Sequence, residues 1–269
     1  MKTRHGEEDL KNSTKPFPVM TQLNNLRMNW DLLGRKDPLW AILSDSGKRS
    51  NKWDIDEFFL TGESEIQRLM HEIETSSIPI ARKKALDFGC GAGRLTRALS
   101  NYFDEVLGLD IAPSMVRLAQ EFNRTNSKCR FLVNEHPNLK IIPDGTIDLI
   151  YSSITLQHIP PKITSLYIRE FLRILKPEGL AVFQLPGRND WSMRGIIFRI
   201  FSNRLLNPIR RWKYQCPAVI ELYSIPLKQI KKLVESEQGE LLDVKEDQST
   251  GPGWISYQYW VTSNRVGAS

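Results

Sequence analysis

The chain has 269 residues, 41% hydrophobic and 25% charged, and 37 Lys and Arg against 31 Asp and Glu give a formal charge of +6. That is enough chain for one sizeable α/β domain with extensions, and there are no internal repeats or low-complexity tracts to explain. Three scattered cysteines, Cys90, Cys129 and Cys216, make neither a disulfide framework nor a zinc site, and no apolar run approaches bilayer-spanning length, so the expectation is a cytoplasmic protein, soluble or peripheral to a membrane, without a metal.

Residues 1–20 are polar and punctuated by Pro16 and Pro18, which predicts a disordered lead. Residues 21–80 then carry Trp30, Trp40, Trp53, Phe58 and Phe59, an aromatic density that must bury something, and they read as a helical cap. Phe58 and Phe59 with Trp30 and Trp40 are either a lid over a ligand or plain packing. From Glu63 the set Ile66, Leu69, Met70 and Ile73 falls at i, i+3, i+4 and i+7, predicting a helix that ends at Ser76, Ser77 and Pro79.

From Lys84 strand and helix alternate. Strands are predicted over 85–88, 106–110, 130–133, 147–153 and 180–185, with helices over 93–102, from Pro113, and over 163–175. A helix opened by Pro226 precedes two strands, 240–245 and 254–262, joined by Gly251-Pro-Gly253 as a hairpin. Repeated β-α-β crossovers require a mostly parallel sheet covered on both faces. Between the first strand and helix stand Gly89, Gly91 and Gly93, where the chain can take φ > 0 and expose main-chain N–H groups to a ligand, so this turn is a cofactor cradle.

The spacing is Asp87-x-Gly89-x-Gly91-x-Gly93, not the G-x-G-x-x-G of dinucleotide folds, and a second acid, Asp110, ends the next strand. Leu86-Asp-Phe-Gly-Cys-Gly-Ala-Gly93 followed by Gly108-Leu-Asp-Ile-Ala-Pro-Ser-Met115 resembles the S-adenosylmethionine site of class I, Rossmann-like methyltransferases. The resemblance covers residues 85–262 apart from one insert. It implies a seven-stranded, mostly parallel sheet with helices on both faces and a terminal antiparallel hairpin, and methyl transfer from S-adenosylmethionine.

It further implies that Gly89, Gly91 and Gly93 let the backbone approach the cofactor and that Asp110 holds the ribose, while Asp87 orders the loop and faces the methionine amino group. Ile111 and Met115 would stand beside the adenine, although Met115 reads equally as core. Asn134 and Glu135 are either an adenine contact or a polar strand end. Tyr151 and Ser152 close the fourth strand at the carboxyl edge of the sheet, where open α/β folds bind ligands. His158, just past that edge, is either the base that deprotonates an acceptor hydroxyl or a loop-ordering histidine. Arg94 either pairs with a carboxylate or is an exposed helix arginine.

No Asn-Pro-Pro-Tyr type sequence follows the fourth strand, where Tyr151-Ser-Ser-Ile154 stands, so a nucleic-acid acceptor is not expected. The acceptor reads as a small molecule, saccharide or lipid, methylated on oxygen. Two rivals are a non-catalytic S-adenosylmethionine-binding module and an NAD-dependent oxidoreductase; the latter is disfavoured by the glycine spacing and by Tyr167 being followed four places on by Phe171, not Lys. The insert, 186–217, holds seven basic residues against the single acid Asp190, a net +6 equal to that of the whole chain, interleaved with Trp, Phe, Ile and Leu. It reads as a lid on the acceptor side, facing either water or an anionic membrane surface.

Overall fold

The computed structural model describes residues 19–214 and 217–264. The predicted lead lies outside them except for its last two residues, and Val19 and Met20 already belong to helix α1 (Val19–Lys36). A short α2 (Pro38–Ile42) follows, then α3 (Ile55–Thr75). Helix α3 starts eight residues before the expected point because Asp54 caps it, its Oδ1 accepting the Glu57 N–H at 2.9 Å. Phe58, Phe59 and Gly62 extend the buried stripe of Ile66, Leu69, Met70 and Ile73 toward that cap.

The sheet begins with β1 (Lys84–Phe88) and continues through α4 (Arg94–Leu99), β2 (Glu105–Asp110), α5 (Pro113–Phe122), β3 (Cys129–Val133), β4 (Ile147–Ser152) and α6 (Pro161–Ile174). Then come β5 (Leu175–Asn189), α7 (Met193–Ile200), α8 (Asn203–Tyr214), α9 (Leu227–Ser236), β6 (Gly239–Asp247) and β7 (Trp254–Ser263). The seven strands lie in the order β3-β2-β1-β4-β5-β7-β6. The first five are parallel, with Leu86 between Leu107 and Ile150, and β7 pairs antiparallel with both β5 and β6. This is the expected mostly parallel sheet with a terminal hairpin.

Alternate residues supply two cores, as the two-residue period of a strand requires. Phe88, Ile150, Phe183 and Tyr259 pack against α6, α9 and Leu23 of α1, while Ala85, Leu149, Val182 and Trp260 pack against α3 and α4. Strand β5 is longer than predicted at both ends. Residues 176–179 bulge out between the Ile147–Leu175 and Leu149–Leu180 pairs, and beyond Leu185 the strand stays paired with β7 as far as Asn189 opposite Trp254. The basic segment therefore leaves the sheet at Asp190 and folds as α7 and α8.

Candidate functional site

At the carboxyl ends of β1 and β2 the chain turns sharply: the N–H groups of Gly89 and Cys90 both donate to the Leu109 carbonyl, at 2.7 and 2.9 Å. Gly91 has φ +51, and a Cβ there would stand 2.6 Å from Cδ1 of Ile42 in α2, so the backbone edge is open only because the residue is glycine. The Gly91 N–H donates to Asp110 Oδ2 at 2.9 Å and the Ala112 N–H to Oδ1 at 2.8 Å. Burial pushes the Asp110 carboxyl up, against the pull of these backbone bonds. Each oxygen keeps a lone pair for a further donor.

The cavity in front of this turn is walled by Gly89, Gly91, Asp110, Ile111, Met115, Asn134 and His158 from among the expected residues. Asn134 donates its Nδ2 hydrogens to the carbonyls of His136 and Asn138, at 3.0 and 3.1 Å, which leaves Oδ1 as its acceptor. The other expected residues stand elsewhere. Asp87 is buried beneath the turn and accepts the Thr96 hydroxyl at 2.6 Å; burial pushes its carboxyl up to about 7 despite that bond and the Arg94 charge. Gly93, at φ +83, opens α4 and packs toward Asn123 and Phe131. Glu135 is exposed and pairs with Arg27 at 3.1 Å. Ser152 is buried, its hydroxyl donating to the Phe88 carbonyl at 3.0 Å. Tyr151 lies on the α3 side of the sheet, its hydroxyl donating to Glu65 Oε1 at 2.9 Å.

Arg94 is not an exposed helix arginine: it is 3% accessible, Nη2 pairs with Glu65 at 2.8 Å, and its buried Nε has no partner. It lines the cavity beside Cys90 and Leu95. Sequence reasoning missed Leu26, Ile42, Thr155 and Tyr167, which also line it. Of the four aromatics read as lid or packing, Trp30 reaches the cavity, whereas Phe58 and Phe59 are core with Leu39 and Ala92, and Trp40 donates to the Asp45 carbonyl at 2.8 Å.

His158 closes the far side. Its Nδ1 lies 2.7 Å from the Glu221 carbonyl, which can only accept, so Nδ1 carries the proton and Nε2 is the bare acceptor, met by Gln157 Nε2 at 3.1 Å. Burial pushes the imidazole down to about 4, so it is neutral at physiological pH. The Trp30 ring stands over it with centroids 5.1 Å apart. Beyond lies a second, wider cavity of about 880 Å³ between α1 and the α8-to-Tyr223 region, and Leu26, Trp30 and His158 wall both.

Residues 86–183 match the family described as Methyltransferase domain. Among curated proteins, a 2-methyl-6-phytyl-1,4-hydroquinone methyltransferase of Synechocystis is 34% identical over 110 residues, 40% of this chain and 32% of the relative. A ubiquinone biosynthesis O-methyltransferase of Xanthomonas oryzae is 27% identical over 106 residues, 39% of this chain and 44% of the relative. The chain thus spans a third to under half of the length of these relatives. Among solved structures, magnesium protoporphyrin IX methyltransferase of Synechocystis with bound SAH superposes with a TM-score of 0.58 at 14% identity, covering 90% of this chain and 99% of that one. A SAM-dependent methyltransferase of Leishmania major gives 0.62 at 13%, covering 92% and 87%. The domain match spans the glycine turn and Asp110, the solved structures share the fold built around them, and residues 86–183 are a methyltransferase domain.

Proposed function

We propose that the chain transfers a methyl group from S-adenosylmethionine to a hydroxyl of a small, apolar acceptor, a lipid and not a saccharide. The observation that carries this reading is His158, a neutral imidazole that walls both the glycine-turn cavity and the wider outer cavity and whose unprotonated Nε2 is met only by the side-chain amide of Gln157. The relatives named for quinol and ubiquinone methylation support an apolar, hydroxyl-bearing acceptor.

The residues present fit the cofactor. The Gly91 edge is a cradle that a Cβ would fill, Asp110 retains lone pairs for ribose hydroxyls, Asn134 Oδ1 suits an adenine amine, and the orphaned Arg94 Nε suits a carboxylate. When bound, the cofactor supplies an electrophilic methyl group on a sulfonium. Trp30, Ile42 and Leu26 exclude water from the reacting atoms. The acceptor hydroxyl takes the place of the Gln157 amide at His158 Nε2 and gives up its proton there as the oxygen gains the methyl group; even an imidazole depressed to about 4 suffices, because an alkylated oxygen still bearing its proton is far more acidic.

His158→Ala should lower kcat by about 10²–10⁴-fold while leaving cofactor affinity within about twofold. Full turnover in that variant would remove His158 from the chemistry. Loss of cofactor affinity would make it a structural residue of the loop.

A further inference from the structure

Helix α8 is amphipathic in the inverted sense. Asn203, Asn207 and Arg210 recur at i, i+4 and i+7 and face the protein: Asn203 Nδ2 donates to the Leu222 carbonyl at 3.0 Å, Asn207 Nδ2 to Glu221 Oε1 at 2.5 Å, and Arg210 Nη1 to both asparagine oxygens at 2.8 and 3.1 Å. Leu205, Ile209 and Trp212 repeat the same spacing on the opposite face, and all three are exposed, Trp212 at 82%. Helix α7 does likewise: Met193, Ile197 and Ile200 are exposed, while Gly195 is buried and Phe198 stacks on Trp254 at 5.7 Å between centroids. With Trp191 before α7 and Phe201 between the helices, eight large apolar side chains are exposed in one stretch, which marks a partner surface.

The partner must also tolerate charge. The only acid of residues 186–217, Asp190, is already engaged, accepting the Ser192 N–H and hydroxyl at 2.9 and 2.5 Å and the Gly253 N–H at 3.2 Å. A second copy would set one basic segment against another, whereas an anionic bilayer offers hydrocarbon for the apolar stripes and phosphates for the arginines.

The geometry points to α7 and α8 as an interfacial helix pair that holds the protein reversibly on an anionic membrane. The outer cavity opens between Met28 and Leu32 of α1 and Asn207 and Arg211 of α8, and Met28 and Leu32 are themselves exposed, so docking brings its mouth to the lipid surface. Delivery of the acceptor from the bilayer through that mouth rests on the methyl-transfer reading; the docking does not.

Sedimentation of the full chain with vesicles tests it. Vesicles of phosphatidylcholine containing phosphatidylglycerol should bind at low salt, release as salt is raised, and bind more tightly than pure phosphatidylcholine. Arg188→Gln, Arg194→Gln and Arg199→Gln together should weaken binding on the order of a hundredfold, about fivefold for each charge. Ile200→Ser, Ile209→Ser and Trp212→Ser should abolish it, and since these side chains are exposed the variant should still bind S-adenosylmethionine in calorimetry. Absence of binding to anionic vesicles at low salt, or self-association without vesicle binding, would overturn the docking. Failure of the unmodified chain to bind S-adenosylmethionine would overturn the methyl-transfer reading and leave the vesicle result standing.

Discussion

Asp110 and Gly91 are the residues on which cofactor affinity should turn. Asp110→Ala removes a carboxylate held by two backbone N–H groups and should weaken S-adenosylmethionine binding by about 1.5–3 kcal/mol in calorimetry. Gly91→Val should be worse, since a branched side chain opposes φ +51 and meets Ile42. Asp87 and His158 give opposite pH signatures. With its folded value raised from 3.8 to about 7, Asp87 keeps a proton that the unfolded chain has lost, so its contribution to stability falls as pH rises through that window. His158, depressed from 6.5 to about 4, contributes stability that is lost as pH falls through the same range. A cationic ligand in the cavity over the turn attracts the ionised form of the Asp87 carboxyl beneath it, so binding should release protons below about pH 7, seen as a buffer-dependent heat that Asp87→Asn abolishes. The glycine turn and Asp110 were legible in the sequence because their spacing is local. Leu26, Ile42, Thr155 and Tyr167 were not, because packing of distant elements brings them to the wall. Arg94 is the sharpest case: it is buried because Gly62 lets α3 approach so closely that a Cβ would stand 2.6 Å from the Arg94 carbonyl oxygen.

Among the elements, α1 and α2 supply Leu26, Trp30 and Ile42 to the wall, and Asp31 of α1 ties that wall to α5. Asp31 Oδ1 accepts the Ser114 N–H at 2.8 Å, and its main-chain oxygen accepts the Ser114 hydroxyl at 3.0 Å, so α1 caps a helix whose own N-cap, Ala112, offers no side-chain acceptor. Burial pushes the Asp31 carboxyl up, but the bonds from Ser114 and Arg35 outweigh it and leave it below the usual value. The stability it confers is present above that usual value and lost as pH falls through its lowered one. Asp31→Ala should cost about 1 kcal/mol in thermal unfolding at neutral pH, and an unchanged melting temperature would show that the cap contributes nothing. We expect removal of residues 1–52 to abolish transfer, because Trp30 and Ile42 go with it, while the sheet stays folded since Asp54 and all of α3 remain; full activity of that truncation would show that the α1–α2 wall is dispensable. The Asp54-x-x-Glu57 cap was the one readable signal for the start of α3, outweighed in the sequence by the apolar stripe that begins at Ile66.

At the scale of the molecule, the parallel strands and the closing hairpin could be read from the alternation of apolar segments with Gly and Pro turns, because each βαβ unit is specified within about thirty residues. Residues 186–217 could be read only as basic and amphipathic; the inward turn of Asn203, Asn207 and Arg210 depends on partners from Glu221 and Leu222, which no periodicity reveals. No helix among the described residues is long and apolar enough to cross a membrane. Methyl transfer to an apolar hydroxyl, as proposed, is tested most directly by mass spectrometry of a membrane-lipid extract incubated with the protein and S-adenosylmethionine carrying a trideuteromethyl group. The expected product is a lipid that has exchanged one hydroxyl proton for the labelled methyl group, formed by the native protein and not by His158→Ala. A protein that binds the cofactor yet labels no lipid, or labels a water-soluble amine instead, would contradict it.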